Sequence, residues 1–270
     1  MNFSILTYNI LADAHVRPVW YTHVPSGVLS FENRSQRLLQ TILSYQADII
    51  CLQEVGKPYF DYFDQQIRDD YLGFVAYKQG SEDIDGCAIW VRKAKFAVIS
   101  HQVHLYADAT ILGAISGHIA FCMVLQFIDA QSNGTQIGIM NTHIKWNQPN
   151  LPREERWATY QLADISTIIA TMPDIEWIVC GDYNLAPNDF SWQILTEAGL
   201  HSVWSEEHTP YTCYANSRFH TLDYVCVSAG LHILHLQYPV LTKDSVIPSL
   251  DHPSDHIPVR VEFEHRRMQR

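Results

Sequence analysis

The sequence has few of the features that mark secreted, membrane-spanning or disulfide-stabilised proteins. Its six cysteines show no C-x-x-C spacing and lie mostly in apolar segments, so we expect reduced core thiols and no disulfide framework. No apolar segment approaches the ~20 residues of a membrane-spanning helix. The chain begins with a strand pattern and lacks the charged start and long apolar core of a signal peptide. We therefore expect an intracellular, cytoplasmic protein, with secretion through a dedicated apparatus as the alternative.

Basic charge is also scarce. The formal net charge of −11, with histidine neutral, excludes a general basic surface for long nucleic-acid duplexes, although a local positive groove is compatible with it. The 270 residues are 47% hydrophobic and 12% aromatic, which argues against disorder and supplies a large core. No short repeat, low-complexity tract or linker composition divides the chain. We expect one domain over residues 1–264, followed by a solvated basic tail over residues 265–270.

Several familiar catalytic motifs are missing. The sequence contains no G-x-S-x-G, no G-x-x-x-x-G-K-[ST] and no G-x-G-x-x-G after a predicted strand. Serine hydrolysis, P-loop phosphate chemistry and dinucleotide redox chemistry therefore have no motif support. Candidate chemistry has to come from polar residues at the ends of predicted strands.

Acidic residues follow predicted strands at two places. An amphipathic helix leads into the apolar strand 48–52, which ends at Glu54, and a second helix leads into the strand 177–180, which ends at Asp182 and Asn184. This order stacks helices on a sheet and brings both acids to one rim. Residues i and i+2 of an extended chain point the same way, so Asp182 and Asn184 can face one ligand. The alternative is an Asx pair that only closes the strand.

Hydrophobic periodicity predicts the helices. One begins at Asn33, with Arg34 contributing to a charged face opposite an apolar stripe. Another runs over about 153–171, and a third occupies 187–198. Asp85 is expected to lie in a solvated turn between two strand-like segments.

The polar residues collected at strand ends are rich in oxygen ligands and contain no cysteine. Such a set suits Mg²⁺ or Mn²⁺, excludes a thiolate-rich zinc site and disfavours a His/Asp zinc site. Metal-assisted phosphoester hydrolysis is the reaction that it serves best. Asp223 could orient the imidazole of His256 toward an attacking water or a leaving oxygen, whereas His143 fits a structural imidazole as well as a site residue. The collected residues are Asn9, Glu54, His143, Asp182, Asn184, Asp223, Asp255 and His256.

Ordered segments from the first strand to the last resemble the motif set of the endonuclease/exonuclease/phosphatase superfamily. They are Thr7-Tyr8-Asn9-Ile10, Cys51-Leu52-Gln53-Glu54-Val55, Asn141-Thr142-His143, Cys180-Gly181-Asp182-Tyr183-Asn184, Leu222-Asp223-Tyr224 and Pro253-Ser254-Asp255-His256-Ile257-Pro258.

Within that superfamily, the chain is similar to the branch that contains nocturnin, Angel and the carbon-catabolite-repressor-type deadenylases. The segments that carry this likeness are Asn9-Ile10-Leu11-Ala12, residues 45–55, Asp85-Gly86-Cys87-Ala88-Ile89, His220-Thr221-Leu222-Asp223-Tyr224 and Pro248-Ser249.

The resemblance implies a four-layer α/β sandwich, with two mixed β-sheets packed face to face and flanked by helices. It also implies roles for individual residues. Glu54 would be the principal metal ligand, with Asn9 close to the metal. Asp182 and Asn184 would position water and the phosphate or a second metal. His143 would stabilise a phosphoryl oxygen in the transition state.

The resemblance also implies that Asp223, Asp255 and His256 together form the part of the site that acts as general base. The implied cofactor is Mg²⁺, with Mn²⁺ as the alternative. The implied metal ligands are Asn9, Glu54, Asp182, Asn184, Asp255 and His256.

Departures within the family bear on the substrate. Lys145 resembles nocturnin, whereas Trp146 and Asn147 resemble the deadenylases. Phe219 stands where nocturnin-like proteins have an arginine; it fits a residue that stacks on a base and equally a core phenylalanine. We take these four residues as candidate substrate contacts. Leucine-rich recruitment repeats are absent, so we expect a bare catalytic domain that is monomeric.

The favoured function is a Mg²⁺-dependent phosphodiesterase, a deadenylase-like 3′–5′ exoribonuclease that acts on a single-stranded RNA 3′ end and releases 5′-nucleotides. The alternative is a phosphatase or phosphodiesterase for a small phosphorylated nucleotide, a dinucleotide (a nocturnin-like NADP(H) 2′-phosphatase) or a phospholipid-type substrate. A third hypothesis is an interaction module without catalysis. The intact motif set argues against that third hypothesis.

Overall fold

A computed structural model describes residues 1–17, 19–25, 27–80, 85–108, 115–129, 132–148, 150–205 and 208–265 of the chain. Residues 266–270 of the predicted basic tail lie outside the described residues. The described strands are β1 (Asn2–Asn9), β2 (Ile49–Gln53), β3 (Tyr71–Tyr77), β4 (Gly86–Arg92), β5 (Phe96–Leu105), β6 (Ile119–Phe127), β7 (Gln136–His143), β8 (Glu176–Asp182), β9 (Leu200–Ser202), β10 (Cys213–Ala215), β11 (Arg218–His220), β12 (Asp223–Ser228), β13 (Leu231–Gln237) and β14 (Val259–His265). The described α-helices are α1 (Phe31–Ser44), α2 (Lys57–Ile67), α3 (Trp157–Ala170) and α4 (Trp192–Glu197).

The large sheets of the described chain are both mixed. The first has the strand order β13-β14-β1-β2-β4-β3, and the second has the order β5-β6-β7-β8-β12-β9. Each contains one parallel pair, β1 with β2 and β7 with β8, and its other pairings are antiparallel. A short hairpin of β10 and β11 lies outside both sheets.

The sheets pack face to face, with helices on their outer faces. Strand β1 shows the arrangement, because its side chains alternate between two cores. Phe3 and Ile5 belong to the core between the sheets, whereas Leu6 and Tyr8 belong to the core shared with α1 and α2. Helix α3 covers the second sheet, with Leu162 packed in the same cluster as that sheet's strands. The predicted four-layer α/β sandwich is therefore confirmed.

A polar contact joins the two sheets close to the ends of their parallel strands. The side-chain amide of Asn141, on β7, donates to the carbonyl oxygens of Leu52 and Ala88 on the first sheet, each at 2.9 Å. Its Oδ1 accepts a hydrogen bond from Gln53 Nε2 at 2.7 Å. Because Asn141 is fully buried, these bonds replace water and fix how the sheets are placed relative to each other.

Two of the predicted helices are shorter in the structure than the sequence pattern indicates. The segment predicted as a helix from residue 153 is a 3₁₀ turn over Arg153–Glu155, and α3 begins only at Trp157. The helix predicted over 187–198 is limited to α4. In the part of the chain that the structure describes, no helix has both the length and the apolar surface that a membrane crossing requires. All six cysteines are buried and free, as predicted.

Candidate active site

Strand register brings polar residues together at one edge of the second sheet. His143 ends β7 and pairs with Asp182, which ends β8. Asp182 also pairs with Asp223, the first residue of the antiparallel β12. Gly181 permits the close β7–β8 approach, since its φ is 144° and a Cβ there would collide with the carbonyl oxygen of Thr142. Backbone pairing therefore sets the spacing of the three side chains.

Asn9 and Glu54, which belong to the first sheet and the turn that follows it, lie beside Asp182. Asn9 ends β1, and Glu54 follows β2 with a left-handed φ of 57°, which turns the chain away from the strand. Asn9 Nδ2 donates to Glu54 Oε1 and to Asp182 Oδ2, both at 3.0 Å. The backbone N–H of Ala12 donates to Glu54 Oε2 at 2.8 Å. Two carboxylates from different sheets thus converge on one neutral amide.

The imidazole of His143 lies between the two carboxylates. Its Nε2 is 3.6 Å from Asp182 Oδ2 and its Nδ1 is 4.0 Å from Glu54 Oε1. Each ring nitrogen also faces a donor: Lys78 Nζ is 3.2 Å from Nδ1, and Asn184 Nδ2 is 3.1 Å from Nε2. Burial, followed by the charge of Lys78, lowers the pKa of His143 well below its usual value. The ring is therefore neutral, the form that can bind a metal ion.

The donor set of Glu54, His143 and Asp182 fits a divalent cation. One ligand atom from each lies within 4.8 Å of the other two, and all three side chains are buried. Burial is the main cause that raises the pKa of Asp182, and the charge of Asp223 raises it further. Among the described residues, no lysine or arginine forms an ion pair with either carboxylate. A bound cation would compensate this buried negative charge.

A second chain of polar groups starts from Asp182. His256 Nε2 lies 3.6 Å from Asp182 Oδ2, and His256 Nδ1 is 2.8 Å from Asp223 Oδ2. Burial alone would lower the pKa of His256, but the Asp223 and Asp182 carboxylates raise it well above its usual value. Asp223 is held by a hydrogen bond from its own N–H to Thr212 Oγ1 at 3.0 Å. The predicted Asp223–His256 pair is present in the structure.

Asp255 lies on the other side of His256. Its Oδ2 accepts a 2.7 Å hydrogen bond from the hydroxyl of Tyr21, and burial raises the pKa of its carboxyl. Cys213 forms an antiparallel bridge with His256 and lines the same cleft. The sequence analysis placed no cysteine at the site, because Cys213 sits in a short segment whose position depends on contacts distant in sequence.

A cleft of about 500 Å³ is lined by Glu54, His143, Asp182, Asn184, Cys213, Asp255 and His256. Asn9 and Asp223 are not among its lining residues, but each is hydrogen-bonded to a residue that is. Basic side chains border it, as do two tryptophans whose exposures are 56% for Trp20 and 55% for Trp146. Lys145 and Trp146, which were predicted to contact substrate, both lie in its wall. The other basic residues that line the cleft are His15, Arg17 and Lys78; the imidazole of His118 also lines it, but burial lowers its pKa to about 3 and keeps it neutral.

Two predicted substrate contacts are not among the described residues that line the cleft. Asn147 is buried, and its side-chain amide donates to the carbonyl oxygen of Lys145 at 2.8 Å. The ring of Phe219 lies 4.9 Å from that of Tyr214, centroid to centroid, against a small apolar cluster that includes Ile257. This placement favours the core alternative for Phe219.

Sequence reasoning missed Lys78 and misjudged Asp85. Asp85 was expected at a solvated turn, but it is 2% exposed and accepts a 2.7 Å ion-pair hydrogen bond from Lys78. The same ammonium contacts His143, so the pair belongs to the site. Lys78 directly follows β3, and extending the search to basic residues at strand ends would have found it.

Arg34 also corrects a prediction. It was expected on the charged, solvent-facing side of its helix, but it is 1% exposed. Its guanidinium donates to the carbonyl oxygens of Ile10 at 2.9 Å, Leu11 at 2.6 Å and Pro253 at 3.2 Å. These carbonyls lie in the segments that follow Asn9 and precede Asp255. Arg34 therefore joins both segments beneath the site, which a helical pattern alone does not reveal.

Comparison with known proteins identifies the same family that the sequence motifs resemble. A model of the Endonuclease/Exonuclease/phosphatase family matches residues 6–256. The chain is 26% identical over 335 aligned positions to Carbon catabolite repressor protein 4 homolog 4 of Arabidopsis thaliana, an alignment that covers 99% of this chain and 78% of that protein. It is 25% identical over 311 positions to the Probable CCR4-Not complex 3′-5′-exoribonuclease subunit Ccr4 of Encephalitozoon cuniculi, covering 96% of this chain and 62% of that protein.

A solved structure agrees in fold and sequence. The human nocturnin catalytic domain, determined with a bound sulfate anion, superposes with a TM-score of 0.78 at 27% identity, covering 98% of this chain and 94% of that one. The predicted branch and the prediction of a phosphoester hydrolase are thereby confirmed. The chain belongs to the endonuclease/exonuclease/phosphatase family.

Proposed function

We propose that the chain is a divalent-metal-dependent phosphodiesterase that removes nucleotides from the 3′ end of single-stranded RNA. The observation that carries this proposal is the convergence of Glu54, His143 and Asp182, from two sheets, in a cleft bordered by cations and exposed tryptophans. The exoribonuclease named among its relatives supports the same substrate class.

The metal would be held by Glu54 and Asp182, with Asn9 and His143 beside them. Most of the ligand atoms in this set are oxygens, so Mg²⁺ suits it better than a softer ion, and Mn²⁺ is the closest substitute. When bound, such a cation supplies compensation for the charge that develops on the phosphoryl oxygens. Asn184, which contacts the same His143 nitrogen that faces Asp182, would contact the phosphate or a further cation.

The water proton would pass to the carboxylate of Asp182, which lines the cleft. Asp182 Oδ2 lies 3.6 Å from His256 Nε2, too far for a hydrogen bond, so the protonated imidazole would act on this carboxylate through its charge. Asp223 stabilises the imidazolium and holds the ring in place through Nδ1. Asp255, fixed by Tyr21, completes this end of the site.

The cleft wall suits a nucleotide. Lys78, Arg17 and Lys145 provide positive charge for phosphates, although the whole chain carries a net charge of −11. Trp20 and Trp146 present large exposed rings on which a base can stack without regard to sequence. A short single-stranded end satisfies both features, because it brings few phosphates and unpaired bases.

The free, buried cysteines suit a reducing compartment such as the cytoplasm.

A second candidate is hydrolysis of a phosphate from a small nucleotide or dinucleotide. It is favoured by Lys78, which is 9% exposed in its side chain and sits against His143, where one terminal phosphate would be enclosed. The 27% identity to human nocturnin is consistent with this candidate.

A substrate panel separates the two candidates. Purified protein with Mg²⁺ is incubated with labelled oligo(A), mixed-sequence RNA, NADPH and an inositol phosphate. Release of 5′-AMP from oligo(A) without release of phosphate from NADPH supports the exoribonuclease, and the reverse result supports the small-molecule phosphatase. Glu54→Ala should be inactive on whichever substrate is cleaved, whereas Glu197→Ala, at an exposed position on α4, should match the wild type.

A further inference from the structure

A second group of metal-ligand side chains lies beside the proposed catalytic carboxylates. Cys213, Asp255 and His256 are each less than 10% exposed, yet all three line the cleft. A sulfur, a carboxylate oxygen and an imidazole nitrogen, one from each residue, lie within 4.8 Å of one another. This donor set differs in kind from that of Glu54 and Asp182, because it contains a thiol.

The backbone holds these three residues together. Cys213 and His256 form an antiparallel bridge between β10 and the segment that precedes β14. On one side the N–H of Tyr214 donates to the carbonyl oxygen of Asp255, and on the other the N–H of Ile257 donates to that of Thr212, both at 2.8 Å. The cluster is therefore built by main-chain pairing and does not depend on mobile side chains.

Two of the three ligands are also held by hydrogen bonds from outside the cluster. Asp223 engages His256 Nδ1 at 2.8 Å, which leaves Nε2 as the nitrogen directed away from it. Tyr21 donates to Asp255 Oδ2 at 2.7 Å, and the other carboxylate oxygen, Oδ1, accepts a longer hydrogen bond from Ser254 Oγ at 3.4 Å, which leaves it a further lone pair for an ion. Metal-binding histidines and carboxylates are commonly oriented in this way, by partners that do not touch the ion.

We propose that Cys213, Asp255 and His256 form a binding site for Zn²⁺, and that the bound ion inhibits hydrolysis by engaging His256. The thiol favours Zn²⁺ over the harder Mg²⁺, so this site is distinct in metal preference from the one at Glu54 and Asp182. A tetrahedral zinc ion holds its donors about 3.5 Å apart, so ligand atoms that lie within 4.8 Å of one another need to close by at most about 1.3 Å. Binding forms a Zn–S bond and a Zn–N bond, and it breaks the S–H bond of Cys213 and the Nε2–H bond of the His256 imidazolium; both protons pass to solvent without electron transfer.

The inhibitory part of this inference rests on the proposed function, because it requires His256 to take part in hydrolysis. A zinc ion bound to His256 would prevent the imidazole from acting together with Asp182 and Asp223. Binding itself requires no catalysis. The two parts can therefore be tested separately.

Cobalt spectroscopy tests the binding site. Co²⁺ is titrated into the full chain with saturating Mg²⁺, and a thiolate-to-cobalt charge-transfer band in the near ultraviolet is expected. The band should be lost in Cys213→Ser and should persist in Cys122→Ser, a matched change of a buried cysteine on β6. Zn²⁺ should displace the cobalt and abolish the band. Absence of the band from the wild type, or its persistence in folded Cys213→Ser, would overturn the proposal.

Inhibition is then measured on the substrate identified by the panel above, with Mg²⁺ in excess. The Zn²⁺ concentration for half-inhibition should rise about tenfold or more in Cys213→Ser, and remain at the wild-type value in Cys122→Ser. Equal sensitivity of the wild type and Cys213→Ser would overturn the inhibitory role. If the wild type cleaves no phosphoester at all, the proposed function fails, while the cobalt spectrum still decides the binding site.

Discussion

Asn141 donates a 2.9 Å hydrogen bond from its side chain to the carbonyl oxygen of Leu52, and this bond crosses from one sheet to the other. Leu52 lies two residues before Glu54, and Asn141 lies two residues before His143. The contact therefore sets the distance between the two strands whose ends carry the proposed metal ligands. A buried amide at this position links fold stability to the geometry of the site.

Replacing Asn141 should cost both stability and activity. In Asn141→Ala the carbonyl oxygens of Leu52 and Ala88 and the amide of Gln53 lose a buried partner, so we expect unfolding to become easier by about 2–4 kcal/mol. Chemical denaturation monitored by circular dichroism measures this change. Asn188→Ala, at an exposed position, is the control and should be neutral. A loss below about 0.5 kcal/mol for Asn141→Ala, the usual range for a surface substitution, would show that the inter-sheet bonds contribute little.

The parts of the site that the sequence predicts are those whose position is encoded locally. An apolar strand that stops at Glu54 or Asp182 specifies both the strand and the edge at which the acid appears, and the order of helices and strands specifies that the edges meet. Asp223 and His256 were paired from their chemistry, and the 2.8 Å contact agrees with that pairing.

The parts that the sequence does not predict depend on contacts between distant segments. The helical pattern predicts that Arg34 faces solvent. In the structure its side chain is buried and donates to carbonyl oxygens in two segments that are distant in sequence. Lys78 and Cys213 enter the cleft because β3 ends beside it and β10 begins beside it. Phe219 shows the converse, since an aromatic residue beside a motif lies against an apolar cluster. Local patterns specify which face of an element is apolar, but they do not specify what a polar side chain meets.

Metal removal should abolish hydrolysis. Glu54 and Asp182 are buried carboxylates without a lysine or arginine ion-pair partner among the described residues, so phosphate binding beside them requires a cation. We expect EDTA to remove activity and added Mg²⁺ or Mn²⁺ to restore it. Glu54→Gln should raise the Mg²⁺ concentration needed for half-maximal rate and retain the wild-type circular dichroism spectrum. Full activity in EDTA-treated wild type would contradict a metal-dependent mechanism.

Removing the charge on Asp223 should affect the rate more than substrate binding. Asp223→Asn keeps the shape of the side chain but weakens its hold on the His256 imidazolium, so we expect kcat to fall by roughly 10²–10⁴-fold with little change in KM. Steady-state kinetics on the cleaved substrate measures both constants. Asp244→Asn, on an exposed loop, serves as the matched control. A kcat close to that of the wild type would show that the Asp223–His256 pair is structural.

Arg34→Lys should destabilise the chain although it preserves the charge. A lysine cannot reproduce the separate hydrogen bonds to Ile10, Leu11 and Pro253, so we expect a loss of about 2–4 kcal/mol. Arg37→Lys is the control on the same helix, because Arg37 donates a solvent-exposed hydrogen bond to the carbonyl oxygen of Asn33, one turn away, and does not join separate segments among the described residues. Thermal and urea denaturation compare the two variants. Similar stability for both would contradict a supporting role for Arg34.

The exposed tryptophans should matter in proportion to the number of bases in the substrate. If Trp20 and Trp146 stack on bases, removing either ring should raise KM for oligo(A) by about 5–150-fold, the equivalent of about 1–3 kcal/mol per lost stack, and leave kcat nearly unchanged. Phe190→Ala controls for loss of an exposed aromatic ring outside the cleft. For a substrate with a single base, such as a mononucleotide, at most one of the two tryptophan variants should show the effect. An unchanged KM for oligo(A) in both variants would remove the argument for a multi-base substrate and favour the small-molecule phosphatase, because Lys78, beside His143, can contact a single phosphate without any stacked base.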